Sequence, residues 1–222
     1  MELLPLGDSA VLIRVGETID EATHAQVRAV CAALQRAPIE GVVELVPSYA
    51  AVGVHYDPAA FGDAPEGPYA RITAVLADRL RTVEVKAYPP GRSVEVPVRY
   101  GGAYGPDLED VARHARMTPE EVVRAHTSAE YSVYMIGFAP GFPFLVGLPE
   151  RLAMQRRDTP RLAVPPGSVA IGGGQTGIYP LATPGGWHII GRTSLQLFRP
   201  DANPPTLLQL GDRVRFQAVD EL

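Results

Sequence analysis

Apolar and polar positions alternate in two rhythms along the first ninety residues. Residues 10–15 form a short apolar run. Asp20 then offers an N-cap, and Val27, Val30, Cys31 and Leu34 recur at i, i+3, i+4 and i+7, which is one face of a helix. After Gly41, residues 42–46 read as a strand, Ser48-Tyr49 as a turn, and Val52, Val54 and Tyr56 as a second, alternating strand. Pro68 suits the first turn of a second helix with the stripe Ile72, Val75, Leu76 and Leu80. Val83, Val85 and Ala87 alternate as a final strand. The order βαββαβ predicts a small ferredoxin-like domain. Pro89-Pro90-Gly91 breaks the pattern, which divides the chain into residues 1–90 and 91–222.

The second part has a different texture. Val94, Val96 and Val98 alternate against Ser93, Glu95 and Arg99. Asp107 is placed to cap a helix whose inner face is Leu108, Val111, Ala112 and Ala115. Thr118-Pro119-Glu120-Glu121 spells a capping box with proline at the first helical position, so a second helix starts there. Strand-like segments follow at 131–138, 168–171, 187–190, 194–198 and 213–216. Eleven of the 22 glycines fall between Gly137 and Gly191. Short strands joined by Gly/Pro turns predict a β-barrel or sandwich, so the fold class is α+β.

Composition removes several functions. With 46% hydrophobic and 20% charged residues the chain is an ordinary globular one, and a formal charge of -5 argues against an electrostatic nucleic-acid binder. No apolar run approaches the roughly 20 residues that span a bilayer. The segment MELLPLGDSAVLIRV lacks the basic and long apolar regions of a signal peptide, so none is expected. Cys31 is the single cysteine, which excludes an internal disulfide and suits a cytoplasmic location.

Gly172, Gly174 and Gly177 spell G-x-G-x-x-G after an apolar stretch. A dinucleotide loop must open a helix, whose N-terminus holds the pyrophosphate. Pro180 and Pro184 forbid a helix here, and no βαβ unit surrounds the motif. NAD and FAD binding are rejected. The glycines then mark either a tight barrel corner or backbone that lines a ligand groove.

Three long stretches carry a resemblance: YSVYMIGFAPGFPFLVGLPERL (131–152), PRLAVPPGSVAIGGGQTGIYP (160–180) and TPGGWHIIGRT (183–193). With YGGAYGPDLEDVA, VPSYAAVGVHYDP and LLQLGDRVRF they resemble the allophanate hydrolase subunit 1 family. It is also called the KipI family and includes the B subunit of bacterial ATP-dependent 5-oxoprolinase. The resemblance covers nearly the whole chain. It departs in detail, with Gly173-Gly174 where Ala-Gly is expected and Ala51-Val52-Gly53 where a more apolar pair is expected. It implies a small α+β N-terminal domain and a cyclophilin-like β-barrel. It also implies two partners, a homologous second subunit of PxpC or KipA type and a lactam-utilisation protein of PxpA type. Together they open 5-oxoproline to L-glutamate with ATP as the energy source. KipI-type inhibition of a sensor histidine kinase, a urea-related carboxylation or allophanate role, and prolyl isomerisation by fold analogy are the alternatives.

Few residues carry chemistry of their own. No serine sits in G-x-S-x-G and no His/Cys spacing suits a metal, so none is expected. Cys31 lies on the apolar stripe of its helix and reads as a structural thiol. His188, beside Trp187, and His126, ahead of Tyr131, are the candidate acid–base groups, each against the alternative of a hydrogen-bonded structural histidine. Arg192 either pairs with a substrate carboxylate or makes a structural ion pair. Gln175, Thr176 and Tyr179, with the backbone at Gly174, offer neutral groups to grip an amide or lactam. Phe138, Phe142 and Phe144 read as core packing or as a partner-binding surface.

Overall fold

A computed structural model describes residues 1–62, 65–83 and 91–221. Two compact units divide the chain, Met1–Pro89 and Pro90–Leu222. In the first, the strands are β1 (Glu2–Pro5) and β2 (Ala10–Arg14), followed by helix α1 (Glu21–Arg36), β3 (Val42–Pro47), β4 (Ala51–Tyr56) and helix α2 (Gly67–Leu80). Asp20 caps α1 as its position predicts, its carboxylate accepting from the Thr23 amide at 2.7 Å. The predicted stripe Val27, Val30, Cys31 and Leu34 is buried, and the helix lies against β3 and β4. Burial pushes the Cys31 thiol up to about 12, which leaves it un-ionised and unreactive.

The sheet order is β1-β2-β4-β3, antiparallel at every pair. The strand beside β2 is β1, which the periodicity did not assign. Of the expected last strand of the ferredoxin-like order, Val85 and Ala87 lie outside the described residues, and Val83 is in no strand.

The second unit contains β5 (Ser93–Tyr100), α3 (Leu108–Ala115), α4 (Pro119–Ser128), β6 (Tyr131–Ile136), β7 (Pro143–Val146), β8 (Arg161–Val164), β9 (Ser168–Gly172), β10 (Gln175–Ile178), β11 (Thr183–Gly185), β12 (His188–Arg192) and β13 (Arg213–Ala218). Seven of these strands close a barrel in the order β10-β7-β6-β13-β5-β12-β9, and β8 pairs with β11 in a separate ribbon. All barrel pairs are antiparallel except β13 with β5, which run parallel in register from Arg213 and Ser93. The alternation read in β5 places Val96 and Val98 in the core beside Leu145, Val169, Ile171, Ile178 and Ile190. The capping box of α4 is complete, Thr118 and Glu121 each accepting from the other's amide.

Two expectations need correction, and four short strands went unpredicted. Residues 194–198 form no strand; Phe198 makes one isolated bridge to Thr206. The strands β7, β8, β10 and β11, three or four residues long, are too short to show a period. Asp107 precedes α3 but makes no side-chain cap, because its carboxylate is engaged elsewhere. Among the described residues no helix is long and apolar enough to cross a membrane.

Candidate functional site

The predicted site residues part company at β10. Its side chains alternate, so Thr176 faces the barrel interior and Gly177 the outer surface. Thr176 is fully buried and donates to the Ala170 carbonyl at 2.9 Å. Its oxygen therefore accepts from His126 Nε2, 3.1 Å away. That assignment leaves Nδ1 as an acceptor for the Tyr100 hydroxyl at 2.8 Å. Tyr131 donates to the His126 carbonyl at 2.8 Å, and the Phe216 ring centroid lies 4.5 Å from the imidazole. Burial pushes the His126 pKa down to about 3 and the Tyr100 pKa well above its ordinary value. The imidazole is neutral, satisfied at both nitrogens and closed off from solvent.

On the outer surface of the same strands lies a cleft of about 240 Å³. Its walls are Phe138, Phe142, Phe144, Tyr179 and Trp187, with Arg156 at one side. Phe142 is the hub: its ring meets Tyr179 at 5.1 Å, Trp187 at 5.5 Å and Phe144 at 4.9 Å, the first two edge to face. Two glycines of the G-x-G-x-x-G run seat these rings. A Cβ at Gly172 would lie 2.5 Å from the Trp187 indole, and one at Gly177 would lie 2.8 Å from the Phe142 ring. Between them Gly173 takes φ +63° in the two-residue β9–β10 turn, while Gly174 stands in open space. The motif therefore builds a hairpin and packs aromatics. Phe142 and Phe144 are buried and Phe138 is 66% exposed, at φ +69°, a backbone region rare for a large side chain.

A strap, residues 153–161, forms the cleft's charged side. It is pinned along its length. His114 Nε2 donates to the Ala153 carbonyl at 3.0 Å and His188 Nε2 to the Gln155 carbonyl at 2.9 Å. Met154 and Gly173 exchange backbone hydrogen bonds, and the Arg157 amide donates to Gly186. Asp107 supplies the last anchor. Its Oδ1 accepts from Arg157 Nη1 at 2.9 Å and Arg161 Nη2 at 2.7 Å, and its Oδ2 accepts from the Ile189 amide at 2.7 Å. The carboxylate is 3% exposed. Arg156, between these anchors, has no carboxylate partner among the described residues; its guanidinium carbon lies 5.9 Å from the Trp187 ring.

Of the predicted residues, only Tyr179 lines the cleft. Burial pushes its pKa up, opposed by a hydrogen bond from the Trp187 backbone and by the charges of Arg156 and Arg161. His188 is buried behind the strap, with Nδ1 lacking a hydrogen-bond partner. Arg192 lies apart, 5.5 Å from the Tyr104 ring, with Arg99 4.7 Å from the same ring. Gln175 is half-buried at the start of β10. Sequence reasoning missed the strap and Asp107. The visible signal was three arginines, Arg156, Arg157 and Arg161, within six residues of a proline-interrupted loop, and an aspartate directly after Gly105-Pro106. Among the described residues no group of three His, Cys, Asp or Glu could hold a metal ion.

The fold belongs to a known class. The chain matches the family described as carboxyltransferase domain, subdomain C and D, over residues 1–208, and it belongs to that family. The B subunit of 5-oxoprolinase from Bacillus subtilis (strain 168) is 46% identical over 220 residues, which span 97% of this chain and 92% of that one. The crystal structure of TTHA0988 superposes with a TM-score of 0.82 at 36% identity, covering 96% of this chain and 40% of that longer one. Kluyveromyces lactis urea carboxylase, at 20% identity and a TM-score of 0.77, shares the fold over 98% of this chain and 21% of its own.

Proposed function

We propose that this chain is one component of a bacterial 5-oxoprolinase. The assembly opens 5-oxo-L-proline to L-glutamate with hydrolysis of ATP. The observation that carries this is the near end-to-end match to the B subunit of a 5-oxoprolinase, 97% of one chain on 92% of the other. It works in a complex with a homologous second subunit and a lactam-utilisation protein. TTHA0988 supports that need for more chain, since this fold accounts for 40% of it. The geometry supports it too. His126 is locked inside the barrel and His188 Nε2 is committed to a carbonyl, so the proton-transfer groups come at least in part from a partner. The cleft, at about 240 Å³, suits a small ring better than a nucleotide, and ATP enters this reading as the cofactor of the whole assembly. The same reading carries a cyclophilin-like barrel, a ferredoxin-like N-terminal domain with its boundary near residue 90, and a cytoplasmic location.

The test is ATP-dependent glutamate release from 5-oxoproline, with this chain, the second subunit and the lactam-utilisation protein, each left out in turn. Activity only in the complete mixture is expected. Folded, associated proteins that release no glutamate would overturn the proposal in favour of a urea-related substrate or a kinase-binding role.

A further inference from the structure

The cleft at Trp187 has three properties that belong together. Its walls are rings, with Phe142 and Trp187 edge to face at 5.5 Å. None of the residues that line it is acidic. Its one lining cation, Arg156, has no carboxylate partner among the described residues, whereas Arg157 and Arg161 share Asp107. The contrast within the strap is informative. The backbone anchors and Asp107 hold the strap in place, and Asp107 neutralises Arg157 and Arg161, the two arginines that follow Arg156, while Arg156 has no carboxylate partner among the described residues. Asp158, the strap's own acid, is exposed and does not line the cleft. A guanidinium beside aromatic walls is a fork for a planar anion next to an apolar slot for its body. At about 240 Å³ the space admits a small ring, not a nucleotide.

We propose that this cleft binds a small cyclic carboxylate, its ring against Phe142 and Trp187 and its carboxylate paired with Arg156. For the choice of 5-oxoproline as that carboxylate, the inference rests on the function proposed above. It moves the carboxylate-binding role from Arg192, which lies beside Tyr104, to Arg156.

Trp187 is the chain's single tryptophan, so intrinsic fluorescence reports on the cleft. Titrating the full chain with 5-oxo-L-proline is expected to give a saturable change. The same ring without its carboxylate, 2-pyrrolidinone, and the Arg156→Gln variant are each expected to weaken it about tenfold or more. In the complete complex Arg156→Gln is expected to raise KM for 5-oxoproline by a similar factor with a smaller change in kcat. If the complex turns over while Trp187 stays silent and Arg156→Gln leaves KM unchanged, the cleft proposal falls and the 5-oxoprolinase reading stands. If the complex is inactive but Trp187 responds saturably to cyclopentanecarboxylate, a cyclic carboxylate that is not a lactam, and Arg156→Gln abolishes that response, then the 5-oxoprolinase reading falls and the cleft remains a site for a small cyclic carboxylate.

Discussion

The barrel interior around His126 and the cleft around Trp187 are both rich in aromatic rings, and they lie on opposite faces of the same short strands. Inside, every polar atom of the imidazole has a partner: Tyr100 donates to Nδ1 and Thr176 accepts from Nε2. Outside, the aromatic cluster carries a cation with no anion among the described residues. Polar groups that are buried and satisfied specify a packing. A charge left unpaired beside an apolar slot is available to a ligand. The difference teaches that the histidine most deeply embedded in the family-like sequence is a structural hub, while the proposed binding chemistry sits on the outer surface, at Arg156.

The comparison can be broken most forcefully at its inner half. His126→Ala opens a cavity and strips the Tyr100 and Thr176 hydroxyls of their partner, so a loss of about 3–5 kcal/mol is expected in urea unfolding. A loss below about 1 kcal/mol would show that the interior is not held in this way. The pH dependence has a defined sign. A folded-state pKa of about 3 lies below the ordinary histidine value, so the unfolded chain binds the proton more tightly. Stability from this group is full above about pH 6.5. It is lost at about 1.4 kcal/mol per pH unit as pH falls towards 3. His24, pushed down to about 4 by burial and by Arg28, adds a slope of the same sign in the first unit. His126→Gln should therefore flatten the acid limb in part, read by unfolding at a series of pH values.

Next in size is the anchor of the strap. Asp107→Asn leaves Arg157 and Arg161 without their counter-charge beside a buried amide; about 2–3 kcal/mol of stability should go, less than for a fully buried pair because both arginines are partly exposed. Unchanged thermal unfolding would dismiss Asp107 as the organising group. Gly177→Ala forces a methyl group against the Phe142 ring and the Pro143 carbonyl, with an expected loss of about 1–3 kcal/mol and a shifted Trp187 emission. The smallest effect is at the cleft's mouth. Phe138→Gly relieves a left-handed backbone, so stability should hold or rise by up to about 1 kcal/mol. A clear loss would mean that the exposed ring packs more tightly than its contacts with Phe142 and Tyr179 indicate.

Much of the scaffold was legible along the chain. The Asp20 cap, the Thr118 capping box and the alternation of β5 are local signals, and the structure contains each of them. The strands around the cleft were not, because three or four residues carry no measurable period. Asp107 shows the limit of local rules. Its position before a helix predicts a cap, yet its carboxylate bonds to residues 50, 54 and 82 positions away. A long-range charge pair buried among anchors outweighs a single exposed cap hydrogen bond.

By itself the sequence determined the helix starts, the period of the longer strands, the rejection of a dinucleotide loop and the family to which the chain belongs. These follow from steric and hydrogen-bonding preferences that act within one turn or one strand, and from motifs long enough to be specific. Only the tertiary structure decided that Gly172 and Gly177 seat the rings of Trp187 and Phe142. Only it decided that His126 is sealed against Thr176, and that Arg156 alone of three neighbouring arginines has no carboxylate partner among the described residues. The reason is physical: which atoms satisfy a charge or fill a space depends on distances between residues far apart in the chain, and no local pattern encodes them.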